Sequence, residues 1–245
     1  MYQPEVFALT DDGYRGPAPS WRPGAPALWL VDVDLTGEHA RRIAPGTLDP
    51  AELGRADRLI SAADRNCYTA AHVALRVLLG ARQGVAPEAV RLTRERCPSC
   101  GGPHGRPATG GGIHFSLSHT RGIALLAFAD VPVGVDVESV PEARIVSEIE
   151  GQLHPAESRE LAELTAEQRP AAFARVWTRK EAYLKGEGTG LVGGLDREHV
   201  GTGPRPLPGP AGWAVTDVAV PAGYAAAVAV STAGQPPAHD GDRRK

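Results

Sequence analysis

The chain has 245 residues, enough for one large domain or two small ones, and its 42% hydrophobic content suffices for a buried core. A formal charge of −3 gives no global basic field, and no aromatic-basic interleaving supplies a local one, so nucleic acid is not expected as a partner. The first residues show no cationic stretch followed by an apolar one, and no apolar run is long enough to span a bilayer, so a cytoplasmic protein with no membrane partner is expected.

After a Pro/Gly-rich lead, LWLVDVDL (28–35) reads as a strand with Trp29, Val31 and Val33 on one face and Leu30, Asp32 and Asp34 on the other. From Ala51 to about Arg82 the pattern turns helical, with Tyr68, Ala71, His72, Leu75, Leu78 and Leu79 recurring at spacings of three and four. Residues 97–112, CPSCGGPHGRPATGGG, are turn formers and read as loop. IHFSLSHT then alternates Ile113, Phe115 and Leu117 against His114, Ser116 and Ser118, and a TRG turn leads into IALLAFA, which makes a hairpin. VGVDVES follows as a strand, with Val133, Val135 and Val137 opposite Gly134, Asp136 and Glu138. A helical region broken near Pro170 fills roughly 142–186, and WAVTDVAV and YAAAVAVS read as closing strands. This order suggests an α+β chain of two similar halves, 1–130 and 131–231, with a polar tail at 232–245 expected to be disordered.

Asp136 and Glu138, two apart in a strand, leave one face about 7 Å apart at Cα, close enough to share a divalent cation. A solvated strand face explains the same pair. On the later helix Trp177, Glu181 and Lys185 form a row, and Lys180 falls on the apolar stripe, where its ammonium needs an anion or a route to water. Glu181 and Lys185, one turn apart, equally make an ordinary surface ion pair. Ser118 and His119 end a hairpin strand, where a histidine is commonly structural or simply exposed. Three cysteines, an odd number, do not suggest a disulfide framework. Cys97, Cys100 and His104 have the spacing C-x2-C-x3-H; a zinc site completed by His114 or Cys67, a thiol-disulfide pair and a plain loop all remain open.

FSLSHT, GVDVES and WTRKEAYLKGEGTGL are weak signals one at a time and specific in fixed order. Together they resemble the hallmarks of the 4′-phosphopantetheinyl transferases of the large, surfactin-synthetase-activating type: a Ser-His strand, a GxDxE strand and a WxxKExxxK helix. The resemblance rests on Ser118 and His119, on Gly134, Asp136 and Glu138, and on Trp177, Lys180, Glu181 and Lys185, and spans roughly 28–231. It implies a monomer of two pseudo-symmetric α+β lobes with coenzyme A in the cleft between them. It also implies transfer of the phosphopantetheine arm to a serine of an acyl or peptidyl carrier protein, in polyketide or non-ribosomal peptide synthesis, with release of adenosine 3′,5′-bisphosphate.

Under that resemblance Asp136, Glu138 and Glu181 are the expected Mg²⁺ ligands. Glu181 is the expected base for the acceptor serine, with Glu138 or a metal-bound water as alternatives. Lys180 and Lys185 are expected on the pyrophosphate, and His119, beside Ser118, on the 3′-phosphate. Gly105-Arg106-Pro107 is similar to the family's Gly-Lys-Pro loop near the adenine end, and Arg55, with Arg58, stands where the family has basic residues, although a solvated helix face explains Arg55 as well. The rival readings are a non-catalytic module that binds carrier proteins, a Mg²⁺-dependent phosphohydrolase using the same acids, and the same transferase serving fatty-acid or lysine-pathway carriers.

Overall fold

The computed structural model describes residues 1–10, 13–190 and 194–233. The expected tail therefore lies, from residue 234 onward, outside the described residues.

The chain runs β1 (Glu5–Phe7), β2 (Leu9–Thr10), β3 (Gly13–Tyr14), β4 (Ala27–Asp32), α1 (Val33–Thr47), α2 (Pro50–Asp57) and α3 (Ala62–Gln83). It continues through β5 (Thr93–Arg94), β6 (Pro107–Ala108), β7 (His114–Thr120), β8 (Ile123–Ala129), β9 (Val133–Ser139), α4 (Ala143–Ile149), α5 (Pro155–Ala162) and α6 (Arg169–Glu187), and ends with β10 (Trp213–Asp217) and β11 (Tyr224–Ser231). The result is a mixed α+β fold built on two principal sheets, ordered β1-β4-β8-β7 and β10-β11-β9. No helix among the described residues is long and apolar enough to cross a membrane.

Alternation decides which face meets what. Trp29, Val31, Leu126 and Phe128 of the first sheet pack with α1 and α3 through Ala40, Leu75 and Leu78. The opposite face, with Leu28, Leu125 and Ala127, meets Val133, Val135 and Val137 of β9 and Val228 of β11. The two sheets are thus packed face to face over a shared aliphatic core, and α6 covers the far side of the second sheet through Ala182 against Ala227 and Ala229. Burial on both faces makes β8 fully buried, which suits its unbroken apolar run IALLAFA.

Several expectations need correction. The strand anticipated over 28–35 ends at Asp32, because the Asp32 carboxylate accepts hydrogen bonds from the backbone N–H groups of Asp34 and Leu35 and caps a helix there. Val33, Asp34 and Leu35 are accordingly the first turn of α1, a helix the alternating pattern concealed. The helical region is indeed interrupted just before Pro170, between α5 ending at Ala162 and α6 starting at Arg169, and Pro170 lies in the first turn of α6, where a missing N–H costs nothing. The Pro/Gly-rich lead, for which no strand was expected, supplies β1 parallel to β4.

Candidate active site

β9 and α6 meet at Gly134. A Cβ there would fall on the Ala182 carbonyl and the Gly186 amide, so only glycine lets the helix lie directly on the strand. That contact sets the register: with α6 seated on Gly134, the next residue on the same strand face, Asp136, comes under Lys185. The Lys185 Nζ donates to Asp136 Oδ1 at 2.6 Å and to Ser118 Oγ at 2.9 Å, and the Ser118 hydroxyl donates to the same Oδ1 at 2.7 Å. Three chain segments far apart in sequence therefore converge on one carboxylate oxygen. Ser116, two residues earlier on β7, accepts from the Val135 N–H at 3.1 Å and ties β7 to β9 just behind the site.

Asp136 is buried, and its Oδ2 has no hydrogen-bond partner. A buried carboxylate oxygen left unpaired costs free energy unless a cation or a ligand meets it. Glu138 and Glu181 lie near enough to Asp136 for its charge to act on both. Burial pushes Glu138 up to about 7, helped by the charges of Asp136 and Glu181 and opposed by a hydrogen bond from Thr120 and by Lys185. Burial and then Asp136 raise Glu181, while Lys185 lowers it. These carboxylates repel one another, which is the condition a divalent cation relieves. Such a set suits Mg²⁺, which keeps several waters and takes few protein carboxylates alongside substrate phosphates.

A cationic group adjoins them. Tyr68 of α3 stacks on His72 at 4.0 Å between centroids and meets His119 edge-on at 6.1 Å. Desolvation, and then the charges of His72, Lys185 and Arg55, bring His119 down to about 4. His119 thus holds its proton weakly beside the charges of Lys185 and Arg55, which Asp64 partly opposes, an arrangement suited to an anion. Arg55 stands in the last turn of α2, whose start is held by a capping box between Asp49 and Glu52. Glu52 also binds Arg76 Nε at 2.6 Å and His72 Nδ1 at 3.1 Å, locking α2 onto α3.

His72, Tyr68 and Thr120 were missed as site residues in the sequence. His72 did leave a signal, a titratable ring on the apolar stripe of a helix, of the same kind that drew attention to Lys180. Trp177 does what packing requires, stacking on Phe173 at 5.6 Å.

Other residues named from the sequence have partners within the fold. Lys180, expected on the pyrophosphate, is buried in an ion pair with Glu157 at 2.8 Å, the anion its place on the apolar stripe calls for, and donates to the Glu198 carbonyl. The apolar stripe took Lys180 into the packing under α6, where the buried Glu157 neutralises it. Arg106 is committed to Glu95, through Nε at 3.0 Å and Nη2 at 2.7 Å, and its Nη1 donates to the Gly186 carbonyl at 2.8 Å, so it pins a hairpin to the end of α6. Neither proposed fourth partner joins Cys97, Cys100 and His104. The Cys67 Sγ donates to the Thr120 carbonyl at 3.0 Å, in the core, and burial pushes that thiol up to about 11; His114 sits with Arg106 and Glu95.

The family model of the 4′-phosphopantetheinyl transferase superfamily matches residues 132–211. The 4′-phosphopantetheinyl transferase HetI of Nostoc sp. is 33% identical over 172 residues, 67% of this chain and 69% of that protein. AcpT of Salmonella typhimurium, another 4′-phosphopantetheinyl transferase, is 35% identical over 136 residues, 54% of this chain and 66% of its own. Over a shorter stretch of 88 residues, 36% of this chain and 37% of the relative, gsp of Aneurinibacillus migulanus is 32% identical.

Proposed function

The chain belongs to the 4′-phosphopantetheinyl transferase superfamily, and from that premise we propose that it moves the phosphopantetheine arm of coenzyme A onto a serine of a carrier protein. The observation that carries the proposal is the meeting of Lys185, Ser118 and Asp136 beside two raised carboxylates and a histidine ringed by cations. Nothing in docking alone needs carboxylates whose charges raise one another, beside a buried carboxylate oxygen without a partner.

In the reaction the acceptor serine oxygen bonds to the pantetheine-side phosphorus of the pyrophosphate. The bond from that phosphorus to the bridging oxygen breaks, and the electron pair leaves with adenosine 3′,5′-bisphosphate. Asp136, Glu138 and Glu181 would hold Mg²⁺, which when bound neutralises pyrophosphate charge. Glu181, on the shoulder of α6, takes the serine proton, with Glu138 as the alternative. The Lys185 ammonium is already at the cluster and stabilises charge on the leaving group. His119 and Arg55 receive the 3′-phosphate. Ser118, buried between Lys185 and Asp136, positions both. Arg106, through Gly186, holds the end of α6 in place.

We assign the chain to the large type, a cytoplasmic monomer of two lobes at 1–130 and 131–231. Support comes from the motif set and from a site drawing Arg55, Ser118 and His119 from one part and Asp136, Glu138, Glu181 and Lys185 from the other. The acceptors we favour are polyketide and non-ribosomal peptide carriers. The test is the intact mass of purified apo carrier domains, including fatty-acid and lysine-pathway ones, after incubation with enzyme, coenzyme A and Mg²⁺. A gain of one phosphopantetheine on some carrier is expected; no gain on any would overturn the reading, and phosphate release without a carrier would point to a hydrolase.

A further inference from the structure

One cluster takes no part in that chemistry. β5 and β6 are two-residue strands of a hairpin, pairing Thr93 with Ala108 and Arg94 with Pro107, and the loop between them folds back on itself. The Cys97 N–H donates to the Gly102 carbonyl at 2.8 Å and the Gly101 N–H to the Cys97 carbonyl at 2.8 Å, closing a tight turn. Gly101 has φ +71°, a left-handed conformation that lets the chain reverse immediately after Cys100. At Gly102 a Cβ would come 3.0 Å from His104 Cδ2 and 3.3 Å from Cys100 Sγ, so glycine there keeps two side chains from being forced apart.

The turn gathers three ligand atoms. Cys97 Sγ, Cys100 Sγ and a ring nitrogen of His104 lie within 4.8 Å of one another, and Cys100 Sγ is 2.9 Å from His104 Nε2. In a tetrahedral zinc site, bonds of about 2.3 Å to sulfur place two sulfurs about 3.8 Å apart, so closing on an ion asks for shifts of only about 1 Å. Backbone N–H groups of Cys100 and Ser99 point at the Cys97 sulfur and favour its thiolate. Two thiolates and an imidazole select a thiophilic cation, not the Mg²⁺ suited to carboxylates. Both cysteines are free thiols, so no disulfide occupies the sulfurs.

We propose that Cys97, Cys100 and His104 bind one zinc ion, and that this ion rigidifies the hairpin from which Arg106 reaches α6. Binding replaces the two thiol protons, which go to solvent, and leaves the ion electrically neutralised by two thiolates. The fourth position falls to water, since no other cysteine, histidine or carboxylate among the described residues joins the group. The consequence runs through Arg106. Its Glu95 partner stands just before the knuckle, with Glu95 N–H donating to the Arg106 carbonyl at 2.9 Å and Gly105 N–H to the Glu95 carbonyl at 3.1 Å. Rigidity at the knuckle therefore fixes the guanidinium on Gly186.

The experiment is the metal content of the untagged full-length protein by plasma mass spectrometry, beside the variants Cys100→Ser and Cys67→Ser. We expect about one zinc per chain in wild type and Cys67→Ser, and its loss from Cys100→Ser. Replacing zinc by Co²⁺ in the wild type should produce thiolate-to-cobalt charge-transfer absorption and the intense visible bands of a tetrahedral site, a readout that needs no variant to fold. Hydrogen exchange at residues 95–105 should quicken when a chelator strips the metal, with exchange in β8 unchanged. Equal, low zinc in wild type and Cys100→Ser, an octahedral cobalt spectrum, or a native mass two hydrogens light from a Cys97–Cys100 disulfide would overturn the site. Exchange unaltered by stripping would overturn its mechanical role.

Discussion

Lys185 Nζ lies 2.6 Å from Asp136 Oδ1, joining a residue of α6 to one of β9 across a join where neither segment has a Cβ at the point of closest approach. Only one oxygen of Asp136 is used in this way, and the other is buried without a hydrogen bond. Replacing Lys185 by Met keeps most of the stem and removes the charge. Turnover should fall about 10²–10³-fold, the scale of losing one preorganised stabilising group. Carrier modification rates followed by mass spectrometry check it, and a loss under tenfold would remove Lys185 from the chemistry.

Glu181 and Glu138 can be separated by neutral isosteres. Glu181→Gln should reduce transfer by about 10²–10⁴-fold, the usual range for a general base, with the melting temperature held or raised because a repelled carboxylate is gone. Glu138→Gln should chiefly raise the Mg²⁺ concentration needed for half-maximal rate. If the two effects are exchanged, Glu138 is the base.

Stability should depend on pH through Glu138. Its folded value, about 7, lies above the ordinary carboxylate value of 4.5, so the fold binds this proton more tightly than the unfolded chain does. The contribution is fully present below about pH 4.5 and is lost as pH rises through 7. In the presence of a chelator the difference in melting temperature between Glu138→Gln and wild type should therefore grow in favour of the variant from pH 5.5 to 8. Mg²⁺ should restore wild type more at pH 8 than at pH 6. A difference that stays flat with pH would contradict the raised value.

Gly134→Ala should damage fold and site together, because its methyl group meets the backbone of α6 and the helix must lift. Overpacking of this kind costs about 1–3 kcal/mol or more. Gly151→Ala, with open space at that position, is the matched control and should be near neutral. Urea denaturation reads both.

Lys180 separates stability from chemistry. Lys180→Met leaves Glu157 buried without its cation, so a loss of about 3–5 kcal/mol is expected. The fraction that remains folded should turn over at the wild-type rate per molecule. A rate collapse in folded protein would return Lys180 to the pyrophosphate.

Local pattern carried far in this chain. The faces of β9, the hairpin of β7 and β8, the C-cap at Gly188 and the order of the three motifs follow from periodicity and spacing, which are properties of a few neighbouring residues. A cap overrode the pattern at Asp32, where one side chain accepting two N–H groups turns an alternating run into a helix start. Asp136, Glu138, Glu181 and Lys185 were marked only by the resemblance that the three motifs carry together, since singly they read as a solvated strand face and a surface ion pair.

Which way each charged side chain turns was settled only in three dimensions. Lys180 and Lys185 are two lysines of one helix, yet the first is paired with Glu157 beneath α6 and the second with Asp136 over β9. Sequence spacing places both on the helix, but their partners come from distant segments, and a charge goes where burial supplies an opposite one. The same reason hid His72 and exposed Cys97, Cys100 and His104 as a gathered trio: spacing offered three ligands, and the reversal at Gly101 brought their atoms together.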